Sequence, residues 1–104
     1  MNVDNIINEL KRYSVISNTK SSKEIYLYQE FNFDNFDTGV IINEISTDKF
    51  EVYLYIEKEG NVVSRLFLKI FDNLDDSKKY YTELLNYAKL GNLDKIKEKL
   101  DAQK

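Results

Sequence analysis

Phe50-Glu51-Val52-Tyr53-Leu54-Tyr55-Ile56-Glu57, then Lys58-Glu59-Gly60-Asn61, then Val62-Val63-Ser64-Arg65-Leu66-Phe67-Leu68-Lys69-Ile70-Phe71: the rest of the chain is organised around these residues. In the first arm Phe50, Val52, Leu54 and Ile56 share one side, and Glu51, Tyr53, Tyr55 and Glu57 share the other. In the second arm Val62, Ser64, Leu66, Leu68 and Ile70 alternate with Val63, Arg65, Phe67, Lys69 and Phe71. Alternation in twos, rich in β-branched and aromatic residues and divided by a short Gly/Asn turn, predicts a β-hairpin.

Two further strands precede it. Ile25 to Phe33 sets Ile25, Leu27, Phe31 and Phe33 on one side, interrupted by Gln29, and Tyr26, Tyr28 and Glu30 on the other. Asp34-Asn35-Phe36-Asp37-Thr38-Gly39 has the composition of a turn, Val40–Ile45 resumes a strand, and Ser46-Thr47-Asp48-Lys49 turns into the hairpin. Links this short join neighbouring antiparallel strands, so the expectation is a four-stranded meander.

Helices flank the sheet. Val3, Ile6, Ile7, Leu10 and Tyr13 recur at helical spacing behind a capping Asp4 or Asn5. The polar run Ser17–Ser22 reads as a connecting loop. After Asp72-Asn73-Leu74-Asp75-Asp76-Ser77 comes a stripe of Tyr81, Leu84, Leu85 and Ala88, with Gly91 as the left-handed residue that ends it. Asn92 caps a last helix bearing Leu93, Ile96 and Leu100, and Lys97, Lys99 and Lys104 suit its C-terminal dipole. The order is α-β-β-β-β-α-α: an N-terminal helix, a four-stranded antiparallel meander and two C-terminal helices. The fold class is α+β, one domain over residues 1–104.

Composition narrows the chemistry. At 42% hydrophobic and 32% charged residues, the chain has enough apolar content for a core. No apolar run is long enough to span a membrane, and the N-terminus lacks the basic head and apolar stretch of a secretory signal. Without cysteine there is no disulfide framework and no thiolate, which fits a cytoplasmic protein. Without histidine the commonest general base and zinc ligand are missing. A net charge of −3 disfavours direct nucleic-acid binding, which needs a basic face. The charge is nonetheless uneven. Residues 24–59 carry nine acids against Lys49 and Lys58, and residues 78–104 carry seven lysines against four acids. Heavy use of Asn, Ile, Lys and Tyr points to an AT-rich genome, such as that of a phage, a plasmid or a low-GC bacterium.

Three groups of residues invite a functional reading. Asp72, Asp75 and Asp76 are natural ligands for magnesium or calcium, but they lack the spaced ligands of a calcium loop, so helix capping is the expected role. Glu57-Lys58-Glu59 at a strand end resembles, without its spacing, the acid-x-Lys pattern of metal-dependent nucleases, and a charged hairpin tip is expected there in any case. The expectation is no catalytic residue, no metal and no cofactor. Third, Tyr26, Tyr28, Glu30, Glu51, Tyr53, Tyr55 and Glu57 fall on one side of their strands. They form either a docking face or rings packed against one another or the first helix. Stacking of single-stranded nucleic acid ranks last, because the interleaved glutamates repel phosphate. Phe31 and Phe33 are expected in the core and Phe36, between Asn35 and Asp37, as an exposed anchor. The lysines of the last helix read as a solvated face.

The opening Met1-Asn2-Val3-Asp4-Asn5-Ile6-Ile7-Asn8-Glu9-Leu10-Lys11 resembles the N-terminus of small phage anti-CRISPR inhibitors of Cas9, and the element order is similar. The resemblance implies a protein that acts without catalysis, by presenting acidic side chains to the DNA-reading surface of a nuclease. Those inhibitors are strongly acidic, whereas this chain is at −3 with a basic end, so a DNA-mimicking surface would have to come from residues 24–59. The expected function is a non-enzymatic inhibitor from a phage or mobile element. Its partner would be a host or mobile-element protein with a basic surface: a nuclease, a CRISPR effector or a toxin. The alternatives are an immunity or antitoxin-type protein and a structural homodimer subunit.

Overall fold

The computed structural model describes residues 3–15 and 24–103. In chain order these form helix α1 (Val3–Leu10) running into a 3-10 turn (Lys11–Tyr13), and strands β1 (Glu24–Asn32), β2 (Asp37–Ser46), β3 (Lys49–Lys58) and β4 (Asn61–Phe71). Helices α2 (Leu74–Ala88) and α3 (Leu93–Ala102) close the chain. The strands pair antiparallel in the order β1-β2-β3-β4. This is the expected α+β meander. The expected loop Ser17–Ser22 lies outside the described residues, as do Met1, Asn2 and Lys104.

Alternation dictates where the core sits. Val40 and Ile42 of β2, Val52, Leu54 and Ile56 of β3, and Leu66 of β4 are fully buried. They form one cluster with Ile6, Ile7 and Leu10 of α1, Tyr81, Leu84 and Ala88 of α2, and Leu93, Ile96 and Leu100 of α3. Each large aliphatic side chain so covered contributes about 1.5–3 kcal/mol. All three helices therefore pack on one sheet face.

Local chemistry sets the helix ends. Asn73 caps α2, its side-chain oxygen accepting from the Asp76 amide at 2.8 Å while its NH₂ donates to Asp76 Oδ2 at 2.9 Å. Asp75 and Asp76 lie in the first turn, where the helix dipole favours them, and Asp72 meets Lys49 at 3.6 Å. That acidic group is helix punctuation. Gly91 takes the left-handed φ of 61°, and Asn92 accepts from the Lys95 amide at 3.1 Å. Asp4 is not a cap: it lies inside the first turn of α1 and pairs with Lys58 at the far end of β3.

The departures from simple alternation all come from β-bulges. In β1 the register passes from Ile25↔Asn43 to Leu27↔Ile42, so Tyr26 is an extra residue. It swings to the helix side, where its ring meets Phe50 at 6.3 Å and the Lys78 ammonium at 5.7 Å. In β4 the pairing passes from Leu54↔Leu66 to Val52↔Lys69, with Phe67 at φ 59°. Beyond that point the faces exchange. Phe67 packs on Tyr87 and Phe71 on Tyr80 of α2, while Ile70, expected beside Leu66, is half exposed on the other side. One inserted residue reverses every side chain beyond it.

β2 also begins earlier than its composition suggests, at Asp37 rather than Val40. Buried Thr38 donates its hydroxyl to the Ala88 carbonyl at 2.7 Å, tying the strand to the end of α2. Pairing with β1 on one side and β3 on the other, together with this bond, overrides turn-like residue preferences there.

Candidate functional site

Two adjacent rungs of the sheet build the site. On the face away from the helices, Glu30 of β1 pairs with Gly39 of β2, which pairs with Tyr55 of β3. One rung on, Asn32, Asp37 and Glu57 stand in the same relation. Residues two apart on a strand share a face, so the two rungs present one continuous patch.

Gly39 makes the first rung possible. A β-carbon there would sit 2.2 Å from Tyr55 Cζ, so the ring lies across bare backbone. Lying flat, Tyr55 reaches over β2 and donates its hydroxyl to Glu30 Oε2 at 2.8 Å. Burial, this bond and the charges of Glu30 and Glu57 push its ionisation far above the ordinary 10.0.

The second rung crowds negative charge. Carboxylate oxygens of Glu30, Asp37 and Glu57 all lie within 4.8 Å of one another, and all three residues are half-buried. Asn32 bridges two of them, its NH₂ donating to Asp37 Oδ1 at 3.0 Å and to Glu30 Oε1 at 3.5 Å. Among the described residues no lysine or arginine pairs with the three. Partial burial, then the charges of Glu30 and Asp37, raise the Glu57 pKa above its ordinary 4.5.

Glu57 stands between two depressions. One, of about 320 Å³, is lined by Tyr28, Tyr55, Ile25, Ile41 and Val62. The other, of about 500 Å³, lies at the sheet end among Phe33, Phe36, Asp34, Lys58 and Glu59. Asp34, Glu59 and Asp4 also line this second depression, and Asp4 engages Lys58 beside them.

The expected docking face is thus only partly assembled. Tyr28 (59% exposed), Glu30, Tyr55 and Glu57 come together. Tyr53 is on the same face but 8% exposed, with the Arg65 guanidinium 5.9 Å from its ring centre. Glu51, expected on the surface, is fully buried beside its cross-strand neighbour Asn43, whose NH₂ donates to it at 3.4 Å. Tyr26 is removed to the helix side by the bulge. Phe36, expected as an exposed anchor, is half-buried against the core and stacks on Phe33 with ring centres 5.3 Å apart. Phe33 in turn occupies the space a side chain at Gly91 would need.

Asp37, Asn32 and Gly39 are members of the site that the sequence hides, since each reads as a turn residue or a strand end. Extending the β2 alternation back through Gly39 to Asp37 would have found two of them. Glu59, paired in sequence with Glu57 as a metal-binding motif, is instead at an exposed hairpin turn with φ 54°. Chemically, three convergent carboxylates can share a proton, accept an ammonium or guanidinium, or offer oxygen ligands to a hard cation.

Neither a scan against protein-family models nor searches of curated proteins and of solved structures match this chain.

Proposed function

We propose that the chain is a non-enzymatic, protein-binding inhibitor that docks on a basic surface of a bacterial nucleic-acid-handling protein, such as a nuclease or CRISPR effector. The observation that carries this reading is the convergence of Glu30, Asp37 and Glu57 beside exposed Tyr28, with no cation paired to them among the described residues. Like charges held this close oppose the free fold, and an arriving Lys or Arg relieves them. Arginine suits the rung best, because its planar fork can bridge two carboxylates. Tyr28 adds apolar area with a polar tip, the residue type favoured at interface centres. Charge attraction speeds encounter and the ring holds the complex. Toxins with basic surfaces would be met by the same chemistry, and the identity of the captured protein separates an immunity role from an anti-CRISPR one.

The test is capture from lysate of an AT-rich bacterial host, comparing the parent chain with Asp37→Asn/Glu57→Gln. The double variant removes repulsion and keeps the shape of the rung, so it is expected to be more heat-stable than the parent. A basic protein retained by the parent and lost by this more stable variant is the expected result. Equal capture by both would overturn the proposal. Capture lost by a variant that is also less stable would contradict the repulsion on which it rests.

A further inference from the structure

The two edges of the sheet are treated differently. Along β4 the chain after α1 lies against the outer edge: Val15 N donates to the Arg65 carbonyl at 2.9 Å, and Arg65 N donates to Ser14 Oγ at 3.0 Å. Beyond β1 no strand is hydrogen-bonded among the described residues. Glu24 through Gln29 are all exposed, including Ile25 at 61%, Tyr26 at 45%, Leu27 at 38% and Tyr28 at 59%.

An open edge with an apolar run is a template for pairing, and proteins usually blunt it with lysine, proline or a bulge. β1 has neither lysine nor proline. Its bulge lies at Tyr26, which leaves Leu27 to Asn32 in unbroken register with β2. This regular run ends at the carboxylate cluster, since Glu30 belongs to both.

We infer that β1 receives an extended segment of the basic partner as a fifth strand, with a Lys or Arg against Glu30 and apolar side chains against Leu27 and Tyr28. Main-chain hydrogen bonds along this edge supply affinity, and the charge at Glu30 fixes direction and register. A second copy of the chain suits the edge less well, because the charged residues of β1 are both acids, Glu24 and Glu30, and a copy of this strand would bring no cation to the cluster. The inference rests on the reading of the carboxylate cluster as the docking point.

A random peptide library selected on the immobilised chain, followed by amide hydrogen exchange with the best synthetic peptide, tests it. The expected result is alternating apolar sequences with a terminal Lys or Arg that slow exchange in β1. Binding should fall by about tenfold or more in Ile25→Lys/Leu27→Lys, whose two positions are exposed, as for loss of interface anchors. Unchanged thermal unfolding of that variant would show that the fold is intact; if it is unfolded, exchange protection in the parent chain still decides. Basic peptides that bind without protecting β1, and depend on Asp37 and Glu57 alone, would overturn the added strand and leave the docking reading standing. Selected peptides without basic residues would overturn both. Protection of β1 that grows with protein concentration and no peptide would overturn the partner segment in favour of self-pairing.

Discussion

At Gly39 the missing β-carbon lets Tyr55 lie across β2 and meet Glu30, so one absent methyl group connects three strands. Gly39→Ala puts a carbon 2.2 Å from the ring and is expected to cost about 1–3 kcal/mol, the usual range for overpacking. Denaturant unfolding measures that loss. Spectrophotometric titration should show the Tyr55 ionisation falling back toward 10.0 as the ring leaves its carboxylate. An alanine variant as stable as the parent would mean that the ring finds another resting place at no cost. Glu57 makes a second residue-level prediction. Its pKa is raised in the folded protein, so the fold binds this proton more tightly than the unfolded chain does. The resulting stabilisation is complete below the unfolded value near 4.5 and is lost as pH rises through the folded pKa. Glu57→Gln should remove this pH dependence and raise stability at neutral pH. Thermal unfolding of both chains across that window reads the difference, and parallel curves would refute it.

Elements depend on where backbone can bend. The turn between α2 and α3 needs a left-handed residue, and Gly91 at φ 61° supplies it while leaving room for the Phe33 ring, 2.4 Å from where a β-carbon would stand. Gly91→Ala should cost roughly 1–2 kcal/mol from the backbone alone. Displacement of Phe33, and with it Phe36 at the site margin, adds to this. A calorimetric loss no larger than that of an ordinary helix-surface substitution would show that Phe33 yields freely. At this scale much was legible. The hairpin, the caps at Asn73 and Asn92, and the stop at Gly91 each follow from a few neighbouring residues acting through short-range hydrogen bonds and φ preferences. The bulges were not. Nothing around Tyr26 or Phe67 marks an extra residue, because a bulge is a compromise between two strands and their packing, not a preference of either. This is why Tyr26 and Ile70 lie on the faces opposite to those that alternation predicts.

Across the whole molecule, periodicity along the chain is enough for the element order, the antiparallel connection of short-linked strands, and the aliphatic stripe that pulls three helices onto one sheet face. These follow from periodicity and loop length, which are local properties. The sequence also sets the total charge and its division into an acidic 24–59 and a lysine-rich 78–104. Which acids meet is settled by the packing of the folded chain. Glu51 went inside beside Asn43, while Glu30, Asp37 and Glu57, each from a different strand, were drawn to within 4.8 Å. Their meeting depends on the pairing of Glu30 with Gly39 and of Asp37 with Glu57, and on Tyr55 lying over Gly39, and no single stretch of chain encodes it.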